Sequence, residues 1–309
     1  MSSSRILFFR FPLFSALFVL FVLLAPAQMQ AATAPPLRAV VSIAPQKYML
    51  ERIAGERVAV TVLVKPGSDP HAYEPDPAQM RACAAADLWF TIGVPFEDIW
   101  LPRIQGAVKS LAIVSSIEGI TRLRVDDGHG HEHGHDKDHP HDTAGGEDPH
   151  VWLSPMLVRS MVPALIRELA QRMPEHAASF HANGKAFADE LEALDRRLAA
   201  RFAEFPREQR GFLTFHPSWR YFARNYDLTE LSVEVNGKEP GSRSMKAIVD
   251  AARKHGILTV FVEPQFPKAA ARAIADNIGA KVVEVNPLAE NLPALYTDMA
   301  DKLLESFQR

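Results

Sequence analysis

The sequence predicts an α/β protein of two lobes joined by one long helix, and three observations lead there. Short β-branched runs alternate with helical patterns along most of the chain, the arrangement that builds sheets with crossover helices. One apolar series, Phe180, Phe187, Leu191, Leu194, Leu198 and Phe202, recurs mostly at three- and four-residue spacing, the period of a helix face. The chain has 309 residues, 47% hydrophobic and 23% charged, which suits two domains of ordinary globular composition.

Taken in order, Val40–Ile43, Val58–Val64, Leu88–Ile92 and Ala112–Val114 read as strands of a first lobe. Gln46–Ile53, Pro77–Ala86 and Phe96–Gln105 read as the helices between them. Ser154-Pro155 is a good N-cap and first-turn pair opening a helix toward Met173, with a kink expected at Pro163. The long apolar series then predicts a helix from Glu175 to Phe205. At 1.5 Å per residue it spans about 46 Å, enough to cross a whole domain as a rigid spine. Beyond it the alternation resumes. Phe212–Phe215, Leu231–Val235, Leu258–Val262 and Lys281–Val285 read as strands, and Trp219–Asn225, Ser244–His255, Lys268–Ile278 and Leu292–Phe307 as helices. The expected units are a first lobe 35–173, a linking helix 174–205 and a second lobe 206–309. No short internal repeat stands out.

The first 34 residues do not belong to this pattern. Arg5 and Arg10 precede an apolar run from Phe11 to Ala25, with small residues following to Ala34. This is the layout of a secretory signal, with Ala32-Thr33-Ala34 as a cleavage site. The run is shorter than the ~20 residues a membrane-spanning helix needs. Its removal takes two arginines from a net charge of −3 and leaves −5. No concentrated basic surface is visible, so nucleic acid is not an expected partner. One cysteine, Cys83, permits no internal disulfide and reads as a small buried residue in its alanine-rich context. An exported, periplasmic protein is the expectation.

Six of the twelve histidines lie in one polar stretch, DDGHGHEHGHDKDHPHD, at His129, His131, His133, His135, His139 and His141. Glycines separate them and acidic residues run through the whole loop 126–147, so it carries no apolar periodicity. Imidazoles and carboxylates suit zinc and its neighbours, but a floppy run binds in many geometries. A selective site must lie elsewhere. Three histidines have a held backbone. His71 stands in GSDPHAYEPDP beyond a strand, His150 in DPHVWLSP before a helix, and His216 in FLTFHPSWRYFA at a strand's carboxyl end. Ligands of open α/β sheets collect at such ends, and three converging imidazoles make a serviceable zinc site. A lone histidine in a strand-end loop is ordinarily a hydrogen-bonded surface group. Three together beside a metal-binding tract favour ligands, while His176, His181 and His255 lack that turn context and read as surface residues.

With these motifs in view, the chain resembles the zinc-specific periplasmic solute-binding proteins of bacterial ABC importers. The resemblance covers the mature chain and is carried by VVSIAPQKYMLERIAG, PGSDPHAYEPDPAQM, the histidine-rich loop, DPHVWLSP, FHPSWRYFARNYDL and GKEPGSRSM. It implies two α/β lobes joined by a long helix, with Zn2+ held as transported cargo in the interlobe cleft. It places His71, His150 and His216 on the family's first three ligands and implies a membrane permease as partner and a monomeric chain. Manganese-type relatives often carry glutamate at the third place, so His216 moves preference toward zinc. At the fourth place, where many relatives carry aspartate, this chain has Asn286. Glu263 in VFVEPQF is the nearest substitute, Glu239 in GKEPGS a weaker one, and water a third. Rival readings are a zinc buffer or chaperone centred on the loop, a binder of another divalent metal such as Mn2+, and a zinc hydrolase. For the last, the sequence shows no His-Glu-x-x-His helix and no G-x-S-x-G elbow.

Overall fold

The structure, a computed structural model, describes residues 35–124, 146–234 and 241–308. The proposed signal segment, the six loop histidines and Glu239 lie outside the described residues.

Two parallel four-stranded sheets organise the chain. In the first, β1 (Leu37–Val41), β2 (Val58–Val62), β3 (Leu88–Thr91) and β4 (Ala112–Ser115) run in the order β2-β1-β3-β4. In the second, β5 (Gly211–Thr214), β6 (Thr229–Ser232), β7 (Thr259–Val262) and β8 (Lys281–Glu284) run β6-β5-β7-β8. The two orders are the same pattern repeated, although no sequence repeat announces it. In each sheet the order in which strands are added reverses beside the first strand, and ligands gather outside the strand carboxyl ends at such switch points. Strands β3, β5 and β7 are buried at every position, as expected of parallel strands covered on both faces.

Helices α1 (Ala44–Ala54), α2 (Pro77–Ala85) and α3 (Pro95–Ala107) serve the first sheet. The start of α2 is closed by Asp76, whose carboxylate accepts from the Ala78 and Gln79 amides while the Gln79 side chain accepts from the Asp76 amide. Ser154 caps α4 (Pro155–Arg172) as its sequence position predicts, and the helix runs on through Pro163. The spine, α5 (Ala177–Ala203), starts after a 3-10 turn at Pro174–His176. It is 27 residues long, or about 40 Å. Its buried face is the expected series plus Gly184. A Cβ on Gly184 would crowd the Ile166 side chain and Val162 Cγ1, so a side chain there would force these α4 residues to repack.

The spine joins the lobes by touching both. Near its start Asn183 donates to the Ile53 carbonyl and Phe187 packs edge-on against Tyr48. Near its end Phe202 stacks on Tyr226 and contacts Phe222 and Phe307. The second lobe adds α6 (Arg220–Asn225), α7 (Ser242–Lys254), α8 (Lys268–Ile278) and α9 (Leu292–Phe307). Helix α9 returns to the spine, and its buried face joins the same continuous core as the first lobe. Cys83 is fully buried, and burial pushes its thiol up to about 11. Among the described residues no helix is long and apolar enough to cross a membrane.

Candidate metal centre

The three singled-out histidines meet. Ring centroids lie 5.3 Å apart for His71–His150, 4.8 Å for His71–His216 and 5.2 Å for His150–His216. One ring nitrogen from each falls within 4.8 Å of the others.

Each arrives by a different route. His71 lies in the loop after β2, where the Phe96 amide donates to the Pro70 carbonyl and ties the loop to the start of α3. His150 ends a segment held from both lobes. The Asp148 amide donates to the Leu123 carbonyl, and the Tyr221 hydroxyl donates to the Asp148 carbonyl while accepting from the Leu123 amide. Two residues on, the Trp152 indole donates to the Pro287 carbonyl, and the Tyr296 hydroxyl donates to the Trp152 carbonyl. His216 follows β5 at the second sheet's switch point, its ring stacked on Phe266 with centroids 5.2 Å apart.

The ring nitrogens are not equivalent. Every Nδ1 faces a carboxylate: Asp69 at 2.9 Å for His71, Asp148 at 2.7 Å for His150 and Glu234 at 2.6 Å for His216. A carboxylate accepts, so an Nδ1–H on each ring satisfies these contacts, and that tautomer would leave Nε2 free to bind a metal. The Nε2 atoms of His150 and His216 face each other at 3.4 Å. Around tetrahedral zinc, with Zn–N of about 2.0–2.1 Å, two ligand nitrogens stand about 3.3–3.4 Å apart. The separation of the two Nε2 atoms matches that edge length.

Burial tunes the same groups. It drives the His150 imidazole down to about 4, with His216 and His71 adding to the effect against the pull of Asp148. Burial also works against ionisation of Asp69 and Asp148, yet the hydrogen bonds from His71 and His150 outweigh it and hold both carboxyls below the usual range. The cavity beside the rings encloses ≈ 20 Å³ and is lined by His71, His150, Glu263, Gln265 and Phe266 among others. A space of that size takes one water or one ion.

The other expected residues fall as follows. Glu263 is buried at the end of β7 and lines this cavity, outside the group of three nitrogens. Its Oε1 accepts from the Ser218 hydroxyl at 3.3 Å, its Oε2 has no partner, and burial pushes its carboxyl up to about 8. The exposed Asn286 uses its side-chain oxygen to accept from the Leu288 amide, a local turn contact. His176 and His181 lie on or beside the spine, away from the cluster. Sequence reasoning missed the three carboxylates. For two of them a signal existed, because Asp-Pro-His occurs twice, at 69–71 and 148–150.

Another acid of the second lobe, the half-buried Glu230 on β6, is also perturbed. Its Oε1 accepts from the Thr214 hydroxyl and the Trp219 amide, while Oε2 is enclosed and unpartnered. Burial pushes this carboxyl up to about 8. A carboxyl raised above its ordinary value of 4.5 contributes stability that is full below pH 4.5 and fades as pH rises through about 8. Glu230→Gln keeps the accepting oxygen and cannot ionise. Its melting temperature should match the parent near pH 4.5 and exceed it by several degrees at pH 8.5, corresponding to roughly 2 kcal/mol. Thermal unfolding at the two pH values checks this.

The chain is similar to known metal-binding proteins. The family model described as ZnuA, zinc-uptake complex component A, periplasmic, matches residues 39–309. A crystal structure of ZnuA is 36% identical, covers 88% of this chain and 100% of its own, and superposes with a TM-score of 0.79. The 138-173 deletion mutant of ZnuA with zinc bound is similar at 36% identity and a TM-score of 0.79, covering 89% of this chain and 99% of its own. The manganese-binding lipoprotein MntA of Halalkalibacterium halodurans is 28% identical over 84% of this chain and 83% of its own length. The zinc-binding protein AdcA of Streptococcus pyogenes is 26% identical over 76% of this chain, which spans 47% of that longer protein. These matches are to solute-binding proteins and not to enzymes. With three imidazoles gathered between two like-ordered sheets and a family match over nearly all of the described chain, this protein belongs to the ZnuA family, the metal-binding solute-binding components of ABC importers.

Proposed function

We propose that the chain captures Zn2+ through Nε2 of His71, His150 and His216 and delivers it, as a periplasmic monomer, to the membrane permease of an ABC importer. One observation carries the reading: ring nitrogens of the three histidines gather within 4.8 Å of one another, and every Nδ1 lies within hydrogen-bond distance of a carboxylate. Segment 1–34 is proposed to direct export. The units 35–173, 174–205 and 206–309 are taken as first lobe, linking helix and second lobe.

Zinc is favoured over manganese because the clustered donors are all imidazoles. Manganese prefers carboxylate and water oxygens, whereas imidazole suits zinc. The similarity to a manganese-binding relative makes the contest worth measuring. One equivalent of zinc is expected to displace bound Mn2+ completely, followed by the manganese electron paramagnetic resonance signal. Retention of bound manganese would assign that metal instead.

Glu263 is proposed to act at the fourth position, as ligand or as acceptor for a water ligand in the cavity. Glu263→Gln should therefore weaken zinc binding more than Asn286→Ala, whose side chain serves only its own turn. Equal neutrality of both variants in a chelator competition would leave the fourth place to water alone.

The loop histidines at 129, 131, 133, 135, 139 and 141 are proposed as an accessory collector that concentrates zinc near the cleft.

A further inference from the structure

The hydrogen-bond pattern around the rings repeats in a way that the ligand assignment does not require. In the first Asp-Pro-His segment, Asp69 Oδ1 accepts from the His71 amide at 2.8 Å and from His71 Nδ1 at 2.9 Å. In the second, Asp148 Oδ1 accepts from the His150 amide at 2.9 Å and from His150 Nδ1 at 2.7 Å. One carboxylate oxygen thus grips backbone and ring of the residue two places on, across a proline that limits the backbone between them. The device is local and sits twice in one lobe.

His216 lacks it. Its proline follows rather than precedes, and its Nδ1 partner, Glu234, comes from beyond β6. That carboxylate is nonetheless held in register. The Val233 amide donates to the Thr214 carbonyl and the Glu234 amide to the Phe215 carbonyl, continuing the β5–β6 pairing up to the residue before His216. Two unrelated solutions, one local and one set by the β5–β6 register, therefore produce one result, a carboxylate at every Nδ1.

We infer that Asp69, Asp148 and Glu234 are positioning residues that lock His71, His150 and His216 in the Nδ1–H tautomer before metal arrives, so that affinity depends on them without their touching the ion. This rests on the ligand set proposed above. In the absence of such an acceptor an imidazole is free to carry its proton on Nε2, and an Nε2–H points a hydrogen at the metal position. It must then move its proton and turn before binding. Partners of this kind raise ligand basicity as well as fixing orientation, and losing one lowers metal affinity about 10- to 100-fold.

The test uses the full mature chain, with zinc affinity read by competition against a chromophoric chelator and tautomers read from histidine ring nitrogen-15 chemical shifts in the metal-free protein. Wild type should show all three rings as Nδ1–H. Asp69→Ala and Glu234→Ala should each bind zinc about 10- to 100-fold more weakly, with the Nδ1–H signature lost at His71 or His216 respectively. Asp69→Asn retains an accepting oxygen and should restore the tautomer and most of the affinity, which a merely structural role would not require. At the buried Asp148, Asp148→Asn should likewise keep the Nδ1–H signature of His150 and most of the affinity, with circular dichroism confirming the fold. Nε2–H rings in the metal-free wild type, or alanine variants with wild-type affinity, would overturn the inference. If His71→Ala and His216→Ala themselves kept tight binding, the ligand assignment would fail instead, so the two failures are distinguishable.

Discussion

Replacing His216 or His71 with alanine is expected to weaken tight zinc binding about 100- to 1,000-fold while leaving the far-ultraviolet circular dichroism near wild type. Four-ligand zinc sites bind with about 10–16 kcal/mol in all, so one ligand accounts for roughly 2.5–4 kcal/mol. The fold should tolerate both changes. His71 lies in a loop and is partly exposed, and His216 lies just past β5 with its ring on Phe266 rather than deep in the core. His150 is a poorer choice for this experiment. It is only 5% exposed, and its removal would strand the buried Asp148, whose Oδ2 already lacks a partner. Measurements should be made with the histidine-rich segment deleted, so that weak sites do not mask the loss.

Deleting Gly128–Gly145 is expected to remove several weak equivalents of zinc and leave one tight equivalent. A segment of separated histidines loses conformational entropy each time it wraps an ion. The cleft rings are already oriented by Asp69, Asp148 and Glu234, and preorganised ligands bind more tightly per contact. Neutral imidazole is the binding form, so the weak equivalents should fade as pH falls below about 6.5, the reference value for histidine. His150 behaves differently, since burial drives it down to about 4 and keeps it a base well below that pH. Isothermal titration of the deletion variant at pH 7.5 and pH 6 checks both points. Loss of the tight step would identify the loop as the primary site.

Much of this architecture was legible in the sequence, for stated physical reasons. Helices α8 and α9 occupy the expected residues, Lys268–Ile278 and Leu292–Phe307, because their apolar period is regular and their ends are marked by turn residues. The spine was legible as one long helix, though its first turn is the 3-10 turn at Pro174–His176. The convergence of His71, His150 and His216 was suggested by strand ends and turns, which constrain where a loop residue can point. What stayed hidden depends on distant packing. Helix α9 reads as the last helix of the second lobe, yet its buried side chains share the core of the first. Nothing in an amphipathic pattern says which surface it covers. The partner of His216 is 18 residues away in sequence and becomes its neighbour only through the β5–β6 register. The matching strand orders of the two sheets were invisible for a similar reason, since parallel strands demand apolar residues without fixing which ones.

Anomalous scattering at the zinc edge, from crystals of the mature chain grown with one equivalent of zinc, tests the central claim most directly. The account predicts one strong peak about 2.0–2.1 Å from Nε2 of His71, His150 and His216, with Nδ1 of each ring still on its carboxylate. A principal peak among the loop histidines, or one bound by carboxylates with these three imidazoles free, would contradict it.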